Sequence, residues 1–249
     1  MAQFSMRIAG YTALVHSLFE STRDYCRDYL TESTPDFSIT VTREDLSFEQ
    51  EFLRREAMEE GFRPRVFTDP FLERAAIQRA FGEYLLDRDV VLLHGSLVAA
   101  DGVGYFFAAR SGTGKSTHTR LWKQLLADRA VIVNDDKPFF AVTKNGILAC
   151  GAPWSGKHGL HQNLCVRLGG ICLLERGEEN RIEKASKEAL LPMLLSQGGY
   201  PLDETRLPRY EALIRHLLER VPLWRMECNK DLSAAVLAYR TMSQMDILR

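Results

Sequence analysis

Residues 104–126 read GYFFAARSGTGKSTHTRLWKQLL: an apolar run, a turn containing two glycines, then an amphipathic segment. That order constrains the fold more than any other stretch. The chain must leave a buried strand, turn sharply, and open a helix whose first N–H groups face the turn. Such a turn suits phosphate, because the helix N-terminus carries partial positive charge and no bulky side chain intrudes. The segment from Ala109 to Ser116 matches the pattern G-x-x-x-x-G-K-[ST] with one substitution, Ala109 standing where the first glycine is expected. A small residue suffices there if its φ is negative. On this reading Ser111, Gly112, Thr113, Gly114, Lys115, Ser116 and Thr117 cradle the phosphates of ATP. Lys115 reaches the β- and γ-phosphates, the Ser116 hydroxyl ligates Mg2+, and Arg110 faces solvent.

The next apolar strand, AVIVN, ends at Asp135 and Asp136. In open α/β sheets ligands gather at the carboxyl ends of the strands, the edge that also carries the turn. One of the two carboxylates there can hold Mg2+, and the other can accept a proton from an attacking hydroxyl. NDDKP is also rich in turn formers, so a plain turn is the competing reading. His94 follows VVLL and precedes a glycine. A single histidine in such a place is more often packed or solvated than catalytic.

Around this centre the chain alternates short apolar runs with helical periods. VVLLHGSLVAA and GYFFAA, separated by DG, read as a hairpin of buried strands. PFFAV, GILAC and GGICLLE add strands, with NG as the turn at 145–146. SKEALLPMLLSQ, RYEALIRHLLERV and KDLSAAVLAYRTMSQ are helical, with PLWRMEC a strand between the last two. Upstream, QFSMRIA and FSITVT alternate like strands, and residues 70–88 form a helix with Phe71, Ala75, Ile77, Phe81 and Leu85 on one face. The expected division is a small α+β subdomain over 1–84 and a nucleotide-binding α/β domain over 85–249. Gly198-Gly199, before Tyr200-Pro201, reads as a surface loop or a lid hinge.

The bulk numbers exclude several classes. Hydrophobic residues are 45% and charged residues 26%, and the formal net charge is −1. A core is affordable, and non-specific binding to nucleic acid or an anionic membrane is not expected. The five cysteines never fall as C-x-x-C, so they read as reduced thiols with neither a disulfide framework nor a zinc site. The opening residues lack the pattern of a secretory signal, and no apolar stretch is long enough to span a bilayer. The expected compartment is the cytoplasm.

LHGSLVAADGVGYFFAARSGTGKSTHTRL followed by VIVNDDKPFF resembles the HPr kinase/phosphorylase and ATP-dependent phosphoenolpyruvate carboxykinase superfamily. Three features carry the resemblance: His-Gly before a hairpin, a phosphate loop after it, and paired aspartates on the next strand. GAPWSGK, Asn163 and VPLWRMEC look like the small HPr-kinase-related proteins found beside peptide-modifying enzymes. The resemblance implies an α/β fold: a phosphate-loop core of mixed β-sheet with flanking helices. It implies Asp135 as general base, Asp136 beside Ser116 at Mg2+, and His94 near the metal or reactive phosphate. It also draws in Trp154 and Lys157, in a Gly/Pro-rich loop, and Arg167 or Arg176 as extra cations for the substrate.

The function so implied is ATP- and Mg2+-dependent transfer of a phosphoryl group to a hydroxyl of a peptide, protein or small alcohol. Two alternatives stay open: a carboxykinase or phosphorylase using nucleotide or pyrophosphate, and a non-catalytic ATP-binding regulator. A homo-oligomer is compatible with the family. The downstream signature by which HPr kinases read their protein substrate and assemble hexamers is not matched, nor are the arginines of the carboxykinases.

Overall fold

The computed structural model describes residues 1–59, 61–199 and 201–245 and divides into two compact units, Met1–Tyr84 and Leu85–Arg249. In the first unit, β1 (Ala2–Ile8) and β2 (Tyr11–Ser17) pair antiparallel, Ile8 opposite Tyr11. Ala9 and Gly10 both take positive φ, +50° and +90°, the geometry of the two-residue turn that matches strand twist. Phe4, Met6 and Ile8 alternate inward. α1 (Glu20–Tyr25) follows, then β3 (Phe37–Thr40), which adds parallel to β2. α2 (Arg43–Glu59) and α3 (Asp69–Leu86) complete the unit, the end of α3 crossing into the second.

Glu73 of α3 is fully buried and accepts from the Leu18 N–H and the Thr22 hydroxyl, so the polar ends of β2 and α1 are satisfied by one side chain. Phe81 is likewise buried, edge-on to Phe37 at 5.2 Å. Phe71 departs from the expected apolar face. It is 39% exposed and stacks on Phe67 at 4.6 Å.

The second unit is built on a nine-stranded mixed sheet. β4 (Val90–Leu92) stands at one end, while β5 (Ser96–Ala100) and β6 (Val103–Ala108) form the expected hairpin near the other. Its turn, Asp101–Gly102, again has positive φ at both positions. VVLL and SLVAA therefore belong to different parts of the sheet: β4 pairs with β8 (Phe139–Thr143), whereas β5 pairs with β6 and with β7 (Ala130–Asn134). His94-Gly95 is the break between them. A Cβ on Gly95 would lie 2.3 Å from the Phe106 ring, so the chain passes there only without a side chain. β9 (Gly146–Cys150) returns from β8 at the expected NG turn, Gly146 at φ +126°.

β10 (Cys165–Arg176) is antiparallel to β9 at its start and parallel to β6 further along. β11 (Arg181–Lys184) and β12 (Leu223–Cys228) extend the sheet, β12 lying parallel to β10. Side chains of the central strands divide strictly between the two faces. Leu97, Ala99, Phe106, Ala108, Ile171 and Leu173 enter a core with α5 (Lys187–Ser196) and α6 (Leu207–Arg220). Val98, Ala100, Tyr105, Phe107, Cys172 and Leu174 enter another with α4 (Lys115–Leu126) and α7 (Leu232–Ser243). Both faces are apolar, as expected of strands covered on both sides.

One reading of the sequence is corrected here. Cys150 and Cys165, read as free thiols, form a disulfide. They sit directly opposite each other on antiparallel β9 and β10, a juxtaposition that sheet pairing creates and sequence spacing does not display. Cys26, Cys172 and Cys228 are free. Gly198-Gly199 lies in the loop after α5, where a Cβ on Gly198 would collide with the Tyr210 hydroxyl and Gln197 O accepts from His94 N. Tyr200 lies outside the described residues. No helix among the described residues is long and apolar enough to cross a membrane.

His118 points from α4 into the second core, 3% exposed, and accepts from the Trp122 indole N–H at 3.2 Å. Burial lowers its pKa from 6.5 to about 4. The unfolded chain therefore binds the proton more readily, so stability is complete above about pH 6.5 and falls as pH drops toward 4. The loss from this one group is on the order of 3 kcal/mol. In urea titrations from pH 7 to pH 4.5, His118→Gln should flatten this slope, since Gln can still accept from Trp122 but cannot be protonated. An unchanged slope would count against the assignment.

Candidate functional site

Ala109, buried at the exit of β6, keeps a negative φ, so the missing glycine costs the turn nothing. The glycines that follow are needed for a different reason. Gly112 and Gly114 lie at φ +76° and +125°, a region that side chains strongly disfavour. With Gly114 as its cap, α4 begins at Lys115 and turns its first N–H groups toward the loop. Thr113 N donates to Arg110 O at 3.2 Å and closes the crown of the turn. Ser111 and Gly112 are exposed, and Thr113, Gly114, Ser116 and Thr117 are half-buried. Arg110 is exposed, as expected. Lys115 is 7% exposed, and its ammonium donates to Ala109 O at 2.9 Å, so it lies folded across the loop it belongs to.

β7 brings Asp135 against this loop, since β5 carries β7 on one side and β6 on the other. The Ser116 hydroxyl lies 3.4 Å from the Asp135 carbonyl oxygen. Ser96, wholly buried at the start of β5, donates to the same carbonyl at 3.1 Å and lies 3.5 Å from the Ser116 hydroxyl. Reading the sequence did not single out Ser96. Its signal was its place directly after the His-Gly break, where the strand re-enters the sheet.

The two aspartates are placed differently. Asp135 is 3% exposed; one carboxylate oxygen accepts the Gly156 N–H at 2.7 Å, and the other is buried with no hydrogen-bond partner among the described residues. Burial, and secondarily the neighbouring Asp136 charge, raises its pKa, against the Gly156 hydrogen bond that lowers it. Asp136 pairs with His94, whose Nε2 lies 3.1 Å from the carboxylate. Burial opposes the Asp136 charge too, yet the His94 hydrogen bond and the Lys137 and Lys115 charges hold its pKa below the usual range. Burial also lowers the His94 pKa, against the Asp136 hydrogen bond that raises it. Backbone contacts fix this histidine: His94 N donates to Gln197 O at 2.6 Å and Gly95 N to Asp136 O at 2.9 Å.

Asn134, buried at the end of β7, is a second residue the sequence reading passed over. Its amide oxygen accepts from Asp136 N at 2.8 Å and Lys137 N at 2.6 Å, which shapes the acidic turn. Its amide nitrogen donates to Ala152 O at 2.8 Å and Trp154 O at 3.1 Å, so one side chain ties that turn to the loop after β9. Asparagine in a turn-forming run was the available signal, and it spoke only to the turn half of the role.

The three substrate candidates part company. Lys157 is exposed on that same loop, next to Gly156. Trp154 is 5% exposed and edge-on to Phe139 at 6.3 Å, so its ring packs against the sheet. Arg167 is not brought to this group: it pairs with Val103, at the opposite end of β6 from the glycine-containing loop 109–115. Strand direction is the reason, and Arg176, at the other end of β10, is the arginine that arrives. Its guanidinium donates to Gly112 O at 2.6 Å.

The donor set fits a hard divalent cation of the Mg2+ kind. Among the described residues no group of three or more His, Cys, Asp and Glu side chains is placed to hold a metal. Mg2+ needs no such cage, keeping water and substrate phosphates as most of its ligands beside one or two carboxylates. The Asp136 carboxylate, with its lowered pKa, and the Ser116 hydroxyl are oxygen donors of that kind.

No family model matches the sequence, and no curated protein matches it. Among solved structures, the Hpr(Ser) kinase/phosphatase from Coxiella burnetii is similar, at 14% identity over 51% of this chain and 88% of that chain, with a TM-score of 0.28. By its own architecture the chain is a mixed α/β protein.

Proposed function

We propose that the chain is an ATP- and Mg2+-dependent kinase that transfers a phosphoryl group to a hydroxyl of a peptide, protein or small alcohol. One observation carries this reading: a glycine-shaped loop opening α4 meets the backbone carbonyl of Asp135 through Ser116, and one oxygen of the buried Asp135 carboxylate has no hydrogen-bond partner among the described residues. The loop amides and Lys115 suit the phosphates, and Arg176 steadies the crown of the loop through Gly112. Mg2+, when bound, neutralises charge on the phosphates; Ser116 and Asp136 would hold it. Ser96 sits within reach of the Ser116 hydroxyl and fixes the carbonyl beside it.

Asp135 and Asp136 then have separate tasks, because their surroundings push their proton affinities apart. Asp135, with a raised pKa, takes the proton of the acceptor hydroxyl as its oxygen attacks phosphorus in line. Asp136, held ionised by His94 and two lysines, keeps negative charge at the phosphate side. His94 orients it through Nε2.

The testing experiment is incubation with γ-labelled ATP and cell extract, followed by separation of protein and small molecules. Label in a protein or small-molecule ester supports a kinase. Label appearing only as free phosphate would sink it. A parallel arm with pyrophosphate in place of ATP isolates the phosphorylase alternative.

A further inference from the structure

The loop between β9 and β10 leaves the sheet at Cys150 and re-enters it at Cys165, the two residues of the disulfide. Between them the chain runs along the end of β7 as a strap. Gln162 N donates to Val133 O at 2.9 Å, Asp135 N to Leu160 O at 3.1 Å, and Gly156 N to the Asp135 carboxylate at 2.7 Å. The fit is close, because a Cβ on Gly156 would lie 3.3 Å from that carboxylate and one on Gly151 would overlap Gln162 O. At its neck the strap is joined by the disulfide and by one hydrogen bond, Gly151 N to Leu164 O at 2.9 Å. The sheet pairing beyond the neck spans only Cys165 to Arg167. The disulfide is also asymmetric in access: Cys165 is exposed, whereas Cys150 is 1% exposed.

We propose that Cys150–Cys165 is a thiol–disulfide exchange site that regulates how firmly the strap holds Asp135. The proposal rests on the proposed role of Asp135 as the base. A thiolate of a dithiol reductant attacks the exposed Cys165 sulfur. The S–S bond breaks, and Cys150 leaves as a thiolate that takes up a proton. The second thiol of the reductant then attacks the mixed disulfide, frees Cys165 as a thiol, and closes the reductant into its own disulfide. Two electrons pass from reductant to protein, and atoms balance. Without the cross-link the strap is a long loop tied at its neck by backbone bonds alone, and its ends gain the freedom the disulfide removed. The Gly156 N–H is then present at the carboxylate for a smaller fraction of the time, and the oxygen that should face the acceptor is less well aimed.

Amide hydrogen exchange on the full chain, oxidised and then treated with a dithiol, reads the strap directly. Peptide-resolved alkylation fixes the redox state of each cysteine, since Cys26, Cys172 and Cys228 are thiols throughout. Reduction should speed exchange at Gly156 and Gln162 by about tenfold or more while the β5–β6 hairpin stays protected. Turnover should fall by about tenfold, with nucleotide affinity held. Cys150→Ser and Cys165→Ser should each show the reduced values whether or not dithiol is present. Identical exchange in the two verified states overturns the proposal, as does failure of the pair to oxidise in the folded protein. If exchange shifts as expected but neither state transfers phosphate, the exchange site stands and the kinase reading falls.

Discussion

Asp135→Asn should lower turnover by about 10²- to 10⁴-fold while nucleotide affinity stays within about threefold, the range expected for loss of a general base. The substitution is chosen because an amide oxygen can still accept the Gly156 N–H, so the strap keeps its anchor. The unpartnered carboxylate oxygen becomes an amide nitrogen, which cannot take a proton. The pH profile gives a second readout. Burial, then the Asp136 charge, raises the Asp135 pKa above the ordinary carboxylate range. The base form is therefore lost as pH falls, and the wild-type profile should show an acidic limb above that range. In the variant that limb should vanish along with most of the rate. Full retention of turnover would remove Asp135 from the chemistry and overturn its assignment as the base.

Trp122→Ala should destabilise the second unit by about 3–5 kcal/mol, measured as the loss in unfolding free energy in urea. Trp122 is wholly buried on α4, with ring centroids 5.1 Å from Tyr105, 5.5 Å from Phe107 and 5.5 Å from Tyr239. It is thus the point at which α4 meets both the sheet and α7. Its loss also strips His118 of the donor to Nε2. Because α4 follows directly on the loop proposed to bind phosphate, nucleotide affinity should fall as well, while Leu126→Ala, at the far end of the helix, should weaken stability with a smaller effect on binding. A loss under about 1 kcal/mol would mean that the cavity collapses without cost, contrary to the behaviour of large rings in close-packed cores.

Much of the centre was legible because its signals are local. Two glycines, a lysine and a serine sit within one turn, and the loop's geometry follows from them. The DG hairpin and the NG turn were equally readable, each demanding positive φ where the glycine stands. Contacts made by backbone or by strand order left no such trace. VVLLHGSLVAA reads as one apolar stretch, yet the sheet divides it, and only the collision of a Cβ at position 95 with Phe106 explains where. YTALVHS drew no attention, although it pairs along its whole length with β1. Arg167 and Arg176 looked equivalent until strand direction placed them at opposite ends of β10. The disulfide was hidden for the same reason: residues 150 and 165 meet because two strands run antiparallel there. Gly156 contributes an N–H, which every residue but proline possesses, so no side chain could have announced it.

The position of β10 also bears on the order of assembly. β6 leads directly into the loop proposed to bind phosphate, yet one of its two neighbours, at residues 167–173, is synthesised long after the loop itself. Arg176, which touches the loop at Gly112, comes later still. A nascent chain therefore carries the complete loop sequence with one flank of its supporting strand open, and parallel partners so far apart in sequence pair slowly. The loop becomes a defined shape only when the middle of the sheet closes. Fragments ending before β10 should contain every residue of the motif and bind no nucleotide, which makes this segment the commitment step of folding.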